Sequence, residues 1–152
     1  MSMNTATGPR TGPAPREARS PVGGQEGIAE DWADRAAGAP RLLFVENRGA
    51  QDAGEGGVEG GADDFRSEAV TQVLMGNSVM LFLVQEGVVL AVPGRDTDLD
   101  RFQREGGLLA ADRFSLEERG LDVGTLRRGT RITGMDEVAG WILDPSVRVM
   151  WH

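Results

Sequence analysis

The fold is decided by two neighbouring stretches, SVMLFLVQEGVVLAVPG (residues 78–94) and LDRFQREGGLLAADRFSLEERG (residues 99–120). The first contains a continuous apolar run, residues 79–84, which ends in the polar sequence Gln-Glu-Gly. The second contains a shorter apolar run, residues 108–111, which is followed by Asp-Arg-Phe-Ser. Short apolar runs flanked by glycine are typical of strands that are buried on both faces of an α/β sheet. Polar residues that follow such strands lie at the sheet edge where open α/β sheets place their sites.

The rest of the chain extends this pattern on both sides. Apolar runs predict five strands, at residues 41–45, 79–84, 108–111, 131–132 and 147–151. Helical spacing or helix-ending residues predict intervening helices at residues 65–75, 86–92, 99–105, 115–120 and 136–143. Alternation of strands and helices predicts a mostly parallel sheet of about five strands with helices on both faces.

Two segments have the composition of disordered chain. Residues 1–40 contain five of the seven prolines among small and charged residues, which predicts a disordered N-terminal tail. A docking motif around Trp32 is the alternative for part of this tail. Residues 50–64 are rich in glycine and predict a flexible loop after the first strand. That loop is interpreted either as a surface insertion, which we favour, or as a lid. Residues 41–152 then form one domain.

Missing residue types exclude several kinds of chemistry. The chain has 24 acidic and 16 basic residues, a net charge of -8, and every basic residue is arginine. This balance argues against nucleic acid or an anionic membrane as a partner. The absence of cysteine, lysine and tyrosine excludes thiolate, Schiff-base and tyrosine catalysis. One histidine excludes most zinc sites, so no metal or cofactor is predicted.

The order of these strands, turns and helices resembles that of the DsrE/DsrF-like family of sulfur-relay proteins. The residues that carry the resemblance are 81–91 and 114–121, including the sequence Arg119-Gly120-Leu121, followed in order by the helix at 136–143 and the final strand. The resemblance spans residues 41–152 and implies a single flavodoxin-like domain. It also implies assembly into trimers or hexamers, as in the family.

The chain departs from this family where sulfur is carried. Members that relay sulfur hold it as a persulfide on a cysteine in the turn after the strand that precedes the Arg-Gly sequence. In this chain Ser115 takes that place, and the chain has no cysteine at all. A serine hydroxyl forms no persulfide, so the resemblance implies the fold but argues against sulfur transfer.

Five residues are candidates for a binding crevice at the strand ends: Ser115, Asp112, Arg119, Glu86 and Asn47. For Ser115 the spacing to Glu118 favours a helix N-cap over a ligand contact. In one interpretation Glu86 and Asp112 act together as an acid/base pair. In the interpretation that we prefer, each forms an ordinary salt bridge with a nearby arginine. Arg119 binds an anion or, as we prefer, forms a structural ion pair. Asn47 contributes to the crevice or serves only as a turn residue.

Two further residues, His152 and Trp141, each have a functional and a structural interpretation. His152 follows the last strand, and a solvated chain end is favoured over a catalytic base because no partner is evident. Trp141 has helical spacing with Val138 and Ile142, which favours the core over a subunit interface. No catalytic residue is assigned.

The sequence therefore predicts a cysteine-free DsrE-like protein that acts as a non-catalytic subunit or binding module. Its partners are copies of itself or a cysteine-containing relative, without nucleic acid or membrane. The alternative is a small-molecule-binding protein or hydrolase that uses the crevice at the strand carboxyl ends. A cytoplasmic location is expected, because no apolar run approaches the ~20 residues of a membrane span.

Overall fold

The computed structural model describes residue 1, residues 39–49 and residues 61–152. Within these residues a five-stranded sheet has the order β4-β3-β2-β1-β5. Every strand pairing is parallel. The strands are β1 (Leu42–Glu46), β2 (Val79–Leu83), β3 (Leu108–Asp112), β4 (Arg131–Thr133) and β5 (Arg148–Trp151).

Helical segments connect the strands. The α-helices are α1 (Gly61–Leu74), α2 (Thr97–Arg104), α3 (Arg113–Glu118) and α4 (Met135–Leu143), and short 3-10 helices span Gln85–Ala91 and Val123–Thr125. The predicted alternation and the parallel α/β class are confirmed, and each predicted strand lies within a residue or two of its observed bounds. In the part of the chain that is described, no helix has both the length and the apolar character needed to span a membrane.

One boundary was wrong. Residues 50–64 were predicted to form the Gly-rich loop, but α1 begins at Gly61. Asp64 lies in the first turn of this helix, where a negative side chain interacts favourably with the free backbone N–H groups. The rest of that loop, residues 50–60, lies outside the described residues. So does the predicted tail with Trp32, except for residue 1 and residues 39–40.

Two layers of side chains cover the sheet. α1, α2, α3 and the 3-10 helix at Gln85–Ala91 pack on one face, which we call the α1 side. Among the described residues, α4 is the one helix that contributes to the core cluster on the opposite face, the α4 side. All five residues of β2 are buried, which explains its continuous apolar sequence. Trp141 packs against the α4-side core, as predicted, and Arg131 lies 5.6 Å from the centre of its ring.

The order of the strands places a switch point beside β1. β1 to β4 follow one another in one direction across the sheet, and the chain then returns to place β5 on the other side of β1. Open α/β sheets bind ligands at the carboxyl ends of the strands where the order reverses. In the flavodoxin order this reversal lies between β1 and β3, whereas here it lies between β1 and β5. The side chains above β1 and β5 are therefore of particular interest.

Candidate functional site

Four of the five predicted residues meet at one corner of the sheet. We call this group the Ser115 corner, and it consists of Gln85, Glu86, Asp112, Ser115 and Arg119. Gln85 and Glu86 follow β2, Asp112 ends β3, and Ser115 and Arg119 belong to α3 and its C-cap. The corner forms because β2 and β3 are neighbours in the sheet and their carboxyl ends lie side by side.

The N-cap prediction for Ser115 was wrong. Asp112 is the N-cap of α3, and its Oδ2 accepts a hydrogen bond from the Ser115 amide at 2.9 Å. The Ser115 hydroxyl donates a second bond to the same oxygen at 2.6 Å. The helix starts one turn earlier than predicted because Asp112, three residues ahead, accepts from the Ser115 amide and places Ser115 inside the first turn. Ser115 and Asp112 are both buried.

Ser115 instead fixes the turn that follows β2. Its Oγ accepts a hydrogen bond from the Gln85 amide at 2.9 Å, and Arg119 Nε donates to the Gln85 carbonyl at 3.0 Å. Gln85 has a φ of 53°, in the left-handed region that residues other than glycine adopt uncommonly. Two side chains of the α3 segment thus hold both backbone polar groups of one strained residue. The polar groups of this turn are therefore paired within the chain.

Each carboxylate in the corner has its own partner. Glu86 Oε1 pairs with Arg119, while Asp112 bonds to Ser115. The ion-pair interpretation of Arg119 is therefore confirmed. Glu86 is largely exposed, and a surface pair of this kind contributes little to stability. Such an arrangement suits a structural clamp better than acid/base chemistry.

Asn47 joins this corner to a second group of side chains. Its amide donates to the His152 carbonyl at 3.0 Å, and its carbonyl accepts from the Gly87 amide at 3.2 Å. Its backbone thus links β5, the end of β1 and the 3-10 helix. Asn47 is half-buried, and these contacts are made by its main chain.

The second group lies at the switch point and was not predicted. We call it the Glu46 cluster, and it consists of Glu46, Phe65, Arg66, Asp96 and His152. Glu46 ends β1 with 0% of its side chain exposed, and Arg66 is also buried. Arg66 Nη1 lies 3.3 Å from Glu46 Oε2, and Arg66 Nε lies 2.7 Å from Asp96 Oδ2. The other Glu46 oxygen accepts from the Arg48 amide at 3.0 Å.

His152 is not a solvated end, so this prediction was wrong. Its Nδ1 lies 3.2 Å from Glu46 Oε1, and its ring stacks on Phe65 with centroids 5.1 Å apart and planes inclined by 24°. Its side chain is only 20% exposed. Its amide donates to the Val45 carbonyl at 3.0 Å, which aligns the residue with the end of β1. The partner that the sequence did not reveal is 106 residues away.

One signal in the sequence pointed to this cluster. Arg66 stands three, four and seven residues before Ala69, Val70 and Val73, so it falls on the apolar stripe of α1. A charged residue on a buried stripe needs a buried partner. Glu46 directly follows the first apolar run of the predicted sheet. If the Gly-rich segment is set aside, it is the nearest acidic residue that precedes α1 along the chain. Among the described residues, no group of three or more potential metal-ligating side chains was found.

Removing the Ser115 hydroxyl should loosen the turn after β2. We expect Ser115→Ala to lower the free energy of unfolding by about 1–3 kcal/mol, because the Gln85 amide loses its acceptor. Amide hydrogen exchange at Gln85 should accelerate, measured in the same sample. Ser67→Ala, on an exposed face of α1, should change stability by no more than about 0.5 kcal/mol. Equal effects of the two variants would contradict the proposed clamp.

The fold has counterparts among solved structures. The crystal structure of the YchN protein of E. coli, which has a DsrE-like fold, matches with a TM-score of 0.59 and 16% identity. The match covers 73% of this chain and 97% of YchN. The chain has a DsrE-like fold. A protein of unknown function from Methanobacterium thermoautotrophicum, MTH1491, matches with a TM-score of 0.55 and 14% identity over 73% of this chain and 97% of its own.

At these identities the likeness concerns the DsrE-like fold alone. No protein-family model matches the chain, and no curated protein matches it in sequence.

Proposed function

We propose that this protein is a non-catalytic DsrE-like subunit that works by assembling with copies of itself or with a cysteine-bearing relative. One observation carries the proposal. The position where the resemblance places the sulfur-carrying cysteine holds Ser115, and that serine is buried with its hydroxyl hydrogen-bonded to Asp112 and Gln85. The chain has no cysteine elsewhere that replaces it.

The surface of the DsrE-like domain supports an assembly role. Within residues 39–49 and 61–152, a single helix contributes to the core on the α4 side of the sheet. On that side Leu143, the last residue of α4, is 81% exposed. Trp151 of β5 is 58% exposed and pairs in register with Val45, whose side chain belongs to the α4-side core. Large apolar side chains exposed on a thinly covered face favour burial against another chain.

The position of β5 adds a second argument. β5 pairs with β1 and ends the sheet, so its outer edge has no strand partner in the part of the chain that the structure describes. An exposed apolar edge strand is a site for association with another chain. The sulfur relay is the process that the family resemblance suggests for such an assembly. In that role the chain would support a partner that carries the reactive thiol.

The native mass of the protein, isolated from its own host by a mild affinity step, tests the proposal. A homo-oligomer of bare chains supports a structural module, and a complex with a cysteine-bearing chain supports a role beside a sulfur carrier. A monomer at the concentration found in the cell would contradict both versions. Additional mass from a bound small molecule on monomeric chains would favour the alternative, a binding protein or hydrolase.

A pair of variants locates the interface. We expect Leu143→Glu combined with Trp151→Glu to reduce the native mass to that of one chain, because two buried charges destabilise an apolar contact. Circular dichroism should show that the variant remains folded. Met75→Glu, which changes an exposed apolar residue just after α1, should leave the native mass unchanged. An unchanged mass in the α4-side variant would show that another surface mediates assembly.

A further inference from the structure

We propose that the carboxyl edge of the sheet above β1 and β5 is a small-molecule site in which His152 Nε2 accepts a hydrogen bond from an ammonium or amide N–H of the ligand. This inference goes beyond the assembly role and does not depend on it. It rests on the place of the Glu46 cluster in the sheet, on the tautomer that Glu46 imposes, and on the charge of the cluster.

The Glu46 cluster lies at the position where open α/β sheets bind ligands. Glu46 ends β1, and His152 directly follows β5. The order of strands reverses between these two strands. A crevice outside the carboxyl ends of strands at such a reversal is the usual ligand position in open α/β sheets. Neither the Ser115 corner nor the α4-side surface lies between these two strands.

Glu46 fixes the tautomer of the imidazole. As the partner of the Arg66 guanidinium, the Glu46 carboxylate accepts hydrogen bonds. In the proposed tautomer His152 Nδ1 therefore carries a proton and donates it to Glu46 Oε1 over the contact of 3.2 Å. In the neutral ring Nε2 is then a hydrogen-bond acceptor. Among the described residues Nε2 has no hydrogen-bond partner, and it is not among the buried unpaired atoms, so it meets solvent.

The ring is also held in one orientation. Phe65 covers one of its faces, and Phe65 is itself held by an edge contact with Phe44 at a centroid distance of 5.0 Å. The backbone of His152 is bonded on both sides, to Val45 and to Asn47. A ligand that binds Nε2 therefore does not have to immobilise the side chain, and this lowers the entropic cost of binding.

Stability alone does not explain the cluster. A buried ion pair is often no more stabilising than well-packed apolar residues of similar volume. Placing a carboxylate with no exposed surface beneath a partly exposed imidazole thus favours a role for the imidazole that apolar residues cannot fill. The same arrangement orients the imidazoles of many catalytic and binding sites, where a carboxylate sets which nitrogen faces the ligand.

The charge of the cluster selects the class of ligand. Glu46 and Asp96 contribute two negative charges and Arg66 one positive charge, so these three carry a net negative charge when His152 is neutral. The whole chain has a net charge of -8. Both fields attract cations and repel anions. A cationic or neutral N–H donor therefore fits the site, whereas a carboxylate ligand does not.

The single histidine of the chain makes the test direct. The full-length protein, labelled with 15N in histidine, gives one pair of ring nitrogen signals, recorded at a pH where the ring is observed to be neutral. We expect a protonated Nδ1 and an unprotonated Nε2. The opposite tautomer would overturn the proposal, since Nε2 would then donate rather than accept.

Three probes with the same carbon skeleton test the ligand class: butylammonium, butyramide and butyrate. We expect butylammonium or butyramide to shift the Nε2 signal in a saturable way, and butyrate to bind at least about tenfold more weakly than the better of the two. Absence of saturable binding by both N–H donors, up to their solubility limits, would overturn the proposal. So would stronger binding of butyrate, because the charge of the cluster would not then select the ligand.

A conservative variant separates binding from structure. In His152→Asn the side-chain amide takes the place of Nδ1–H, so Glu46 keeps a donor, but no acceptor remains at the Nε2 position. The Asn47 amide donates to the His152 carbonyl, so in uniformly 15N-labelled wild-type protein we expect the probes to shift its signal as well. We expect the uniformly labelled variant to unfold at a similar denaturant concentration and to show no such shift. Retention of that shift would show that the probes bind elsewhere on the acidic surface, and the proposal would be wrong.

Discussion

Replacing Glu46 with alanine should lower the free energy of unfolding by about 3–5 kcal/mol, measured by denaturant unfolding. The variant removes a carboxylate whose side chain is fully buried and leaves the buried Arg66 guanidinium without one of its partners. It also deprives the Arg48 amide and His152 Nδ1 of their acceptor. Loss of one member of a buried pair costs much more than the pair contributes, because the remaining charge stays desolvated.

An exposed carboxylate on α1 is the control, because its removal changes the charge without affecting a buried group. Glu68 is exposed on α1 and accepts a hydrogen bond from Gln72 at 2.7 Å. We expect Glu68→Ala to change stability by no more than about 0.5 kcal/mol. A double replacement, Glu46→Leu with Arg66→Leu, should recover part of the loss, since the buried guanidinium leaves together with the carboxylate. Asp96 then loses its cation but keeps the Leu99 amide as a hydrogen-bond donor. If Glu46→Ala were as mild as Glu68→Ala, the Glu46 cluster would not be a desolvated network.

Replacing Gly87 with alanine should be nearly as severe, with an expected loss of about 3 kcal/mol or more in the free energy of unfolding. A Cβ atom at this position would lie 2.2 Å from the Glu46 carbonyl oxygen and 3.0 Å from the Glu46 carbonyl carbon. Backbone atoms at the end of a central strand cannot rotate away as a side chain can. The 3-10 helix would have to move off β1 and would lose the hydrogen bond from the Gly87 amide to Asn47.

Gly140 provides the matched comparison for Gly87. It lies inside α4, and apart from its chain neighbours and the backbone of its own helix, a Cβ atom there would meet no described atom within 4 Å. Because alanine has the higher helix propensity, we expect Gly140→Ala to stabilise the protein by about 0.5–1 kcal/mol. Gly87→Ala should also move the ring signals of His152, because the clash falls on the residue that holds the imidazole. Similar stabilities of the two alanine variants would contradict the close approach at Gly87.

The strands and the class of the fold were predicted from the sequence because their signals are local. A fully buried strand such as β2 shows five apolar residues in a row, and the glycines and polar residues on each side mark its ends. Alternation of such runs with helical spacing implies parallel pairing, since parallel strands require a crossover between them. The candidate residues after β2 and β3 were also predicted to lie together, because the carboxyl ends of neighbouring parallel strands share one edge of the sheet.

The roles of those residues depended on partners that the local pattern does not specify. Ser115 was assigned to its own helix, whereas its acceptor role is toward Gln85, 30 residues away. The positive φ of Gln85 is likewise not evident from the local sequence, because its backbone is held by Ser115 and Arg119 from a distant segment. A serine near the start of a helix has many hydrogen-bonding options, and tertiary packing selects among them.

The α/β class, the positions of the strands and the exclusion of cysteine chemistry follow from residue types and short-range periodicity alone. The reversal of the strand order beside β1, and the meeting of Glu46, Arg66 and His152 there, depend on how the whole chain packs. Glu46 lies 20 residues from Arg66 and 106 from His152 along the chain. A buried charge is tolerated only when its partners surround it, and packing of the whole sheet is what brings them within hydrogen-bonding distance.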